Sequence, residues 1–332
     1  MIKIEGKGGI SAKIIADSVS EHDGSRITTF ELEYHRYVHA EFMTHRLFSR
    51  NAASSRAIPV DKALARINTQ PATPTHWGKN QPGMQANEEN NEPVTLTIDV
   101  KGKPTAVNMG KEDAWQHAAR SACSMARVFN AAGYHKQIVN RLTEPFQMIK
   151  VVCTATEYDN FFALRLHKDA QPEIQELARC MWEAREKSEP MSLQSGEWHL
   201  PYVERYIDKS SQSRHYYILD EKGKEIDLSL GVALAVSASC CAQVSYRALD
   251  MSIEKAERIF KMLIESRPSH ASPVEHQATP ILNPRVDAEY VDKGTTHFDL
   301  TGHAWSGNFK GWVQHRQLIQ DHTVWEYDHK PE

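Results

Sequence analysis

Apolar and polar side chains alternate over residues 27–34, with Phe30, Leu32 and Tyr34 on one face and Thr29, Glu31 and Glu33 on the other. That period of two predicts a half-buried strand. Over 37–47 the spacing changes, and Val38, Phe42 and Met43 predict a short amphipathic helix running into a polar, small-residue loop, 49–56. Residues 70–93 are rich in Pro, Gly and Asn with almost no apolar spacing, which predicts a long surface excursion of the lid or binding-loop kind. Helical spacing returns over 113–131, followed by a polar helix or turn over 134–146, a β-branched strand over 149–156 and a short segment over 159–166. Pro172 opens a helix that runs to 187, with Glu173 and Glu176 in its early turns. After a variable stretch, 188–227, a small-residue helix is predicted over 228–246. An amphipathic helix over 252–266 gathers Ile253, Ala256, Phe260, Leu263 and Ile264 on one face and stops at Arg267-Pro268. A strand near Phe298 and a Trp-containing helix over 308–318 complete the pattern.

Composition narrows the function classes. With 40% hydrophobic and 25% charged residues, the 332-residue chain has enough apolar surface for a sizeable core. Its 39 Lys+Arg against 43 Asp+Glu give a formal charge of −4, which argues against a protein that coats nucleic acid. No apolar run approaches the ~18 residues of a membrane helix, and the first residues lack the apolar core of a signal peptide, so a soluble, cytoplasmic protein is expected. The five cysteines are odd in number and never form Cys-x-x-Cys, which favours buried reduced thiols over disulfides or zinc. Dinucleotide-binding Gly-x-Gly-x-x-Gly, P-loop and Gly-x-Ser-x-Gly signatures are missing. His35 and His39 are four apart without a third spaced ligand, so no metal is expected.

The segment Thr44-His45-Arg46-Leu47-Phe48-Ser49-Arg50-Asn51-Ala52-Ala53-Ser54-Ser55-Arg56 places cations at a helix end and then hydroxyls, an amide and further arginines. A forked guanidinium with short neutral donors is what a phosphate monoester requires; a polar loop with solvated arginines has the same composition. The segment resembles the signature of the flavin-dependent thymidylate synthases: Arg-His-Arg, seven residues, then Ser, here Thr44-His45-Arg46 and Ser54 with Arg56 two further on. Other blocks are similar to that family as well. Asn160-Phe161-Phe162-Ala163-Leu164-Arg165, with Ala170-Gln171-Pro172-Glu173-Ile174 after it, resembles the family's pyrimidine-binding segment. His135-Lys136-Gln137 and Asn140-Arg141 stand where it supplies another phosphate-binding cation. Gln243-Val244-Ser245-Tyr246 and Ser269-His270-Ala271-Ser272-Pro273-Val274-Glu275-His276 resemble its flavin-site blocks.

The resemblance implies an α+β fold, a twisted and mostly antiparallel sheet with flanking helices, treated as a single domain over 1–332. Residues 1–187 would form its nucleotide-binding part, 188–227 a variable insertion and 228–332 its flavin-binding part. It implies reductive methylation of dUMP to dTMP with methylenetetrahydrofolate, FAD and NADPH, in a homo-oligomer, tetramer or dimer. Arg165 and Ser54 would be catalytic. The dUMP contacts would be Ser54, Ser55, Arg56, Lys136, Gln137, Arg141 and Arg165. The FAD contacts would be His45, Arg46, Asn160, Ser245, His270, Ser272 and Glu275, with Gln314, His315 and Arg316 from a partial second copy of the signature at 309–316. Without the family, Arg165 could simply pair with Glu173 or Asp169, and the late copy could equally be helix or surface filler. The sequence departs from the family in block order, which looks circularly permuted, in Thr44 for the first arginine and in Ala52 for an acidic residue. Two other readings follow from those departures: a related flavoprotein that installs hydroxymethyl or another one-carbon group, and a nucleotide-binding module without catalysis.

Overall fold

The computed structural model describes residues 2–84, 86–207, 214–245, 250–264, 266 and 269–326. The alternating stretch becomes the strand Arg26–His35, joined by a tight turn at Gly24 (φ 74°) to Ser11–Ser20. The β-branched stretch becomes Met148–Ala155, antiparallel to Arg26–His35 from Thr28 opposite Ala155 to His35 opposite Met148. Lys3–Glu5 closes one edge and Ser49–Ala52 the other, while Met191–Leu193 adds alongside Ser11–Ser20 in parallel. The mainly antiparallel sheet with flanking helices is the architecture expected from the sequence.

One face of the sheet is covered by Pro172–Glu186, which buries Ile174, Leu177, Ala178, Met181 and Ala184 against Ile14, Phe30, Leu32 and Val151. Phe30, Leu32 and Tyr34 point into this core. The opposite face differs from expectation. Thr29 is fully buried, Tyr202 donates to Glu31 (3.2 Å) and Arg66 pairs with Glu33, so the strand is covered on both sides. The cover includes the C-terminal half, where Leu230–Ala242 packs on Ile253–Ile264 and Ala278–Pro280 pairs with Trp312–Gln314. Ser229 caps the first of these helices through its hydroxyl, which accepts from Val232 N (3.5 Å).

Two other expectations are corrected, and two further stretches take defined form. The supposed loop 49–56 begins as the edge strand Ser49–Ala52, because its backbone pairs with Cys153 and its neighbours. The stretch 94–109, where no element was predicted, forms the hairpin Val94–Val100 and Lys103–Met109 around Lys101 (φ 55°) and Gly102 (φ 78°). Within the stretch 188–227, Met191–Leu193 joins the main sheet and Glu204–Ile207, Arg214–Leu219 and Glu225–Leu228 make a sheet of their own. Trp312 lies in a strand and not a helix, because Gly311 (φ 72°) turns the chain back where a Cβ would collide with Ser25 and Asp23. All five cysteines are buried free thiols. Among the described residues, no helix is long and apolar enough to cross a membrane.

A buried chain of hydrogen bonds ties the two halves together. Ser18 Oγ meets His199 Nδ1 (2.9 Å), His199 Nε2 meets Thr29 Oγ1 (2.8 Å), Thr29 meets Thr154 (2.7 Å), and Thr154 meets His276 Nδ1 (2.8 Å). Burial pushes both imidazoles down to about 3, with His199 adding to the effect on His276. Unfolded imidazoles titrate near ~6.5, so between there and about pH 3 the unfolded chain binds protons that the folded chain refuses. This contribution to stability is fully present above pH 6.5 and is lost as the pH falls through that window. Replacing His276→Gln should remove about one proton from the uptake on unfolding and flatten the pH dependence of the urea midpoint between pH 6.5 and 4. An unchanged slope would contradict this account.

Candidate active site

The helix Asp159–Arg165 delivers Arg165 at its last turn, against the chain that precedes the edge strand. Arg165 Nε donates to His45 Nε2 (3.0 Å), Nη1 pairs with Glu41 (3.3 Å) and Nη2 reaches Thr44 Oγ1 (3.4 Å). Glu41 is therefore the carboxylate that balances Arg165, in place of Glu173 or Asp169. Glu173 is instead buried, accepting from Thr75 N (2.8 Å) and Gln171 (3.2 Å). His45 stacks on Phe48 and meets the edge of Phe161. Burial, then Arg165 and Arg50, push its imidazole down to about 4. A neutral ring that accepts at Nε2 carries its proton on Nδ1. Arg46 is exposed next to it in the chain, and Asn160, five residues before Arg165, is exposed as well. Met43, Leu47 and Leu164 add exposed apolar surface around this group.

At the other end of the edge strand, residues 53–58 are pinned from beneath. Arg36 Nη2 donates to Ala53 O (2.8 Å), and the buried Asn140 donates to Ser55 O (2.7 Å) and Ile58 O (2.9 Å). Ser55 is buried and its hydroxyl donates to Glu144 (2.7 Å), which Arg141 also contacts (3.1 Å). Lys136 Nζ donates to Ala57 O (3.3 Å). Ser54 is half-buried, and Arg56 and Gln137 are exposed. The structure thus gathers Ser54, Ser55, Arg56, Lys136, Gln137 and Arg141 around one loop. Arg165 is not among them. It sits across Ser49–Ala52, a strand that spans about 13 Å at ~3.3 Å per residue.

The late block packs on the start of the same strand. Gln314 Nε2 donates to Ser49 Oγ (3.3 Å), Glu275 O (3.3 Å) and Asn308 Oδ1 (2.9 Å). Arg316 is ion-paired with Glu275. His315 is buried between Trp198 and Phe260, and burial pushes it down to about 4. His270 and Ser272 are exposed, and the His270 backbone N–H donates to Leu263 O (2.8 Å). The side chain of Ser245 and the whole of Tyr246 lie outside the described residues.

An isoalloxazine needs an enclosed slot, and part of the segment proposed to line it, from the Ser245 side chain to residue 249, lies outside the described residues. Cavities of about 810, 660, 300 and 80 Å³ are lined wholly by described residues, and none has His45, Arg165, Glu275 or Gln314 in its wall. No group of three potential metal ligands occurs among the described residues. His35 is held by Tyr37 (2.8 Å) and Gly8 O (2.8 Å), and His39 by Tyr34 (2.8 Å). Sequence reasoning missed Glu41, Arg36 and Glu144 as partners of the motif residues. Glu41 was within reach of it, since Glu41 and His45 are four apart at the end of a predicted helix.

Removing the Arg165 cation should let His45 take a proton more readily. In the variant R165Q, the His45 ring titration followed by NMR is expected to move up from about 4 toward the ordinary histidine range. A titration that stays put would show that burial and Arg50 govern His45 without Arg165.

Comparison with known proteins sets this geometry in context. No curated protein matches the chain. Among solved structures, a UMP/dUMP methylase, PolB, from Streptomyces cacaoi, crystallised with 5-Br UMP, is 16% identical with a TM-score of 0.36, over 55% of this chain and 92% of that one. At that score the likeness carries no weight for fold or function. A family match does: it runs over residues 16–191, from the second strand through the Thr44–Arg56 signature, the Asn160–Arg165 block and the covering helix. The blocks at 243–276 and 309–316 lie beyond it. The chain belongs to the thymidylate synthase complementing protein family.

Proposed function

We propose that the chain transfers a one-carbon unit to C5 of dUMP and completes it as the methyl group of dTMP, with methylenetetrahydrofolate, FAD and NADPH, in the cytoplasm. Family membership supports dUMP methylation in general. One contact carries the finer reading: two blocks 120 residues apart in the chain meet at Arg165 Nε and His45 Nε2, 3.0 Å apart. The guanidinium fork would leave Glu41 to hold the pyrimidine carbonyl oxygens and stabilise negative charge that develops on them. Ser54, at the other end of the edge strand, would contact the nucleotide toward its phosphate. Arg56, Lys136, Gln137 and Arg141, with Ser55 bracing the loop, would neutralise the phosphate.

The flavin and the folate, when bound, would supply hydride and carbon; the chain would bind, orient and exclude water. His45, Arg46, Asn160, Ser245, His270, Ser272, Glu275, Gln314, His315 and Arg316 are the residues proposed to face FAD. Met43, Leu47 and Leu164 form an exposed apolar rim beside these residues, on which a second copy would sit, so the active form would be a dimer or tetramer.

A different one-carbon product is a second reading, favoured by Thr44. Where the family has an arginine, the Thr44 hydroxyl donates to Glu41 O (2.7 Å) and lies by Arg165, so the site has one cation fewer. Incubating the protein with labelled dUMP, methylenetetrahydrofolate and NADPH and weighing the nucleotide separates the two. A mass equal to dTMP is expected, a hydroxymethyl mass would establish the second reading, and a colourless protein that binds dUMP unchanged would refute both. The variant R165Q should lower turnover about 100- to 1,000-fold.

A further inference from the structure

The hairpin Val94–Val100 and Lys103–Met109 has one apolar and one polar side. Val94 stands opposite Met109, Leu96 opposite Val107 and Val100 opposite Lys103, so these residues and Ile98 share a side, with Thr95, Thr97 and Asn108 on the other. The apolar side stays accessible: Val94 is 41% and Val100 43% exposed, and Leu96, Ile98, Val107 and Met109 are half-buried. Two strands alone are marginally stable in water, so an accessible apolar side of this kind calls for a cover. The tip is cationic. Lys101 and Lys103 are exposed on either side of Gly102, while the Asp99 carboxylate accepts from the Gly102 N–H (2.7 Å) and is spent on the turn itself.

A matching groove lies in the C-terminal half. The cavity of about 660 Å³ is walled by Arg214–Leu219, Glu225–Leu228 and the start of Ile253–Ile264. Its apolar lining is Ile218, Leu219, Ile226, Met251 and Ile253, and its charged lining is Asp220, Glu221, Asp250 and Glu254, with no basic residue among them. Asp250 is paired with Lys255 (3.1 Å), and Asp220 accepts from the backbone N–H groups of Lys222 (2.9 Å) and Lys224 (2.8 Å). Glu221 and Glu254 are exposed and ion-paired with no described residue.

We propose that the hairpin is an arm that docks in this groove on a second copy of the chain, with its apolar side on Leu219, Ile226 and Ile253 and its lysine tip against Glu221 and Glu254. An apolar strip ending in two ammonium groups then meets an apolar wall rimmed by two uncompensated carboxylates, and such complementarity fixes which surfaces meet and in what register. Arm and groove are present on every chain, so a two-fold axis lets each arm occupy the other chain's groove, and the exchange closes as a dimer. The contact is separate from the rim at Met43, Leu47 and Leu164. It uses none of the residues placed around nucleotide or flavin, so it stands independently of the proposed chemistry.

The test joins the two surfaces directly. All five native cysteines are buried, so a cysteine introduced on either surface is the reactive one. Full-length chains carrying K101C are mixed with chains carrying E254C and treated with a mild oxidant. The expected result is a disulfide-linked dimer from the mixture at several times the yield from either chain alone. In sedimentation velocity, K101E/K103E and E221K/E254K should each weaken one step of assembly about ten-fold or more, and the chain carrying all four substitutions should recover it. Melting temperatures should be unchanged, because the four positions are exposed. A mixture that links no better than either chain alone would overturn the proposal. So would a wild-type chain that is monomeric throughout, assembly unchanged by both pairs of reversals, or no recovery in the fourfold variant.

Discussion

Ser49 stands opposite Thr154 across the last pair of strands in the sheet, and that register decides where the chemistry goes. The Ser49 hydroxyl faces Gln314 and Asn308, and the Thr154 hydroxyl joins the chain that ends at His276. A single cross-strand pair therefore fastens the early signature to the late block. Hydroxyls and imidazoles buried this deeply are costly unless each finds a partner. The C-terminal half supplies those partners, so the face of the sheet that carries Thr29 and Thr154 depends on its docking. The same register sends His45 to one end of a four-residue strand and Ser54 to the other.

The core face of the sheet was legible in the sequence because it rests on local period. Phe30, Leu32 and Tyr34 alternate, and burial follows the alternation. The helix Pro172–Glu186 was legible for a similar reason, its start marked by a proline and acidic first turn. What local period cannot show is a second cover. Thr29, Glu31 and Glu33 look like a solvent face, yet their partners His199, Tyr202 and Arg66 are dozens of residues or more away and carry no spacing signal. The hairpin at 94–109 was hidden differently: its residues are largely exposed, so its short apolar run is not part of the core.

The candidate site was legible as chemistry and not as geometry. The residue types at 44–56 and 160–165 pointed to anion and ring recognition, and two of them, His45 and Arg165, do meet. The sequence held no information about the distance between the ends of the edge strand, because an expected loop could have folded Ser54 back onto Arg165. Backbone pairing with Val151 and Val152 prevents that. Gln314 comes to lie beside the early segment through a strand and Gly311, where a helix was expected.

Charge separates the two ends of the strand further. At the late block Arg316 has Glu275, and at the helix end Arg165 has Glu41, so each guanidinium is matched by a carboxylate. Around the loop 53–58, Glu144 accepts from Ser55 and pairs with Arg141, while Arg36 and Lys136 spend their donors on the Ala53 and Ala57 carbonyls and Arg56 is exposed. Burial of Arg36 makes its charge harder to hold, which sharpens the call for an anion there. Under the proposed function, a phosphate at the loop would meet these cations, whereas a neutral pyrimidine would have to compete with Glu41 for Arg165. That competition is mild. The guanidinium makes contacts of 3.0 to 3.4 Å on a partly exposed side chain, and exposed pairs of this kind contribute about 1 kcal/mol or less. The end of the strand that is already balanced is thus the end that can be re-aimed at a ring, and the unbalanced end is the one that can anchor it.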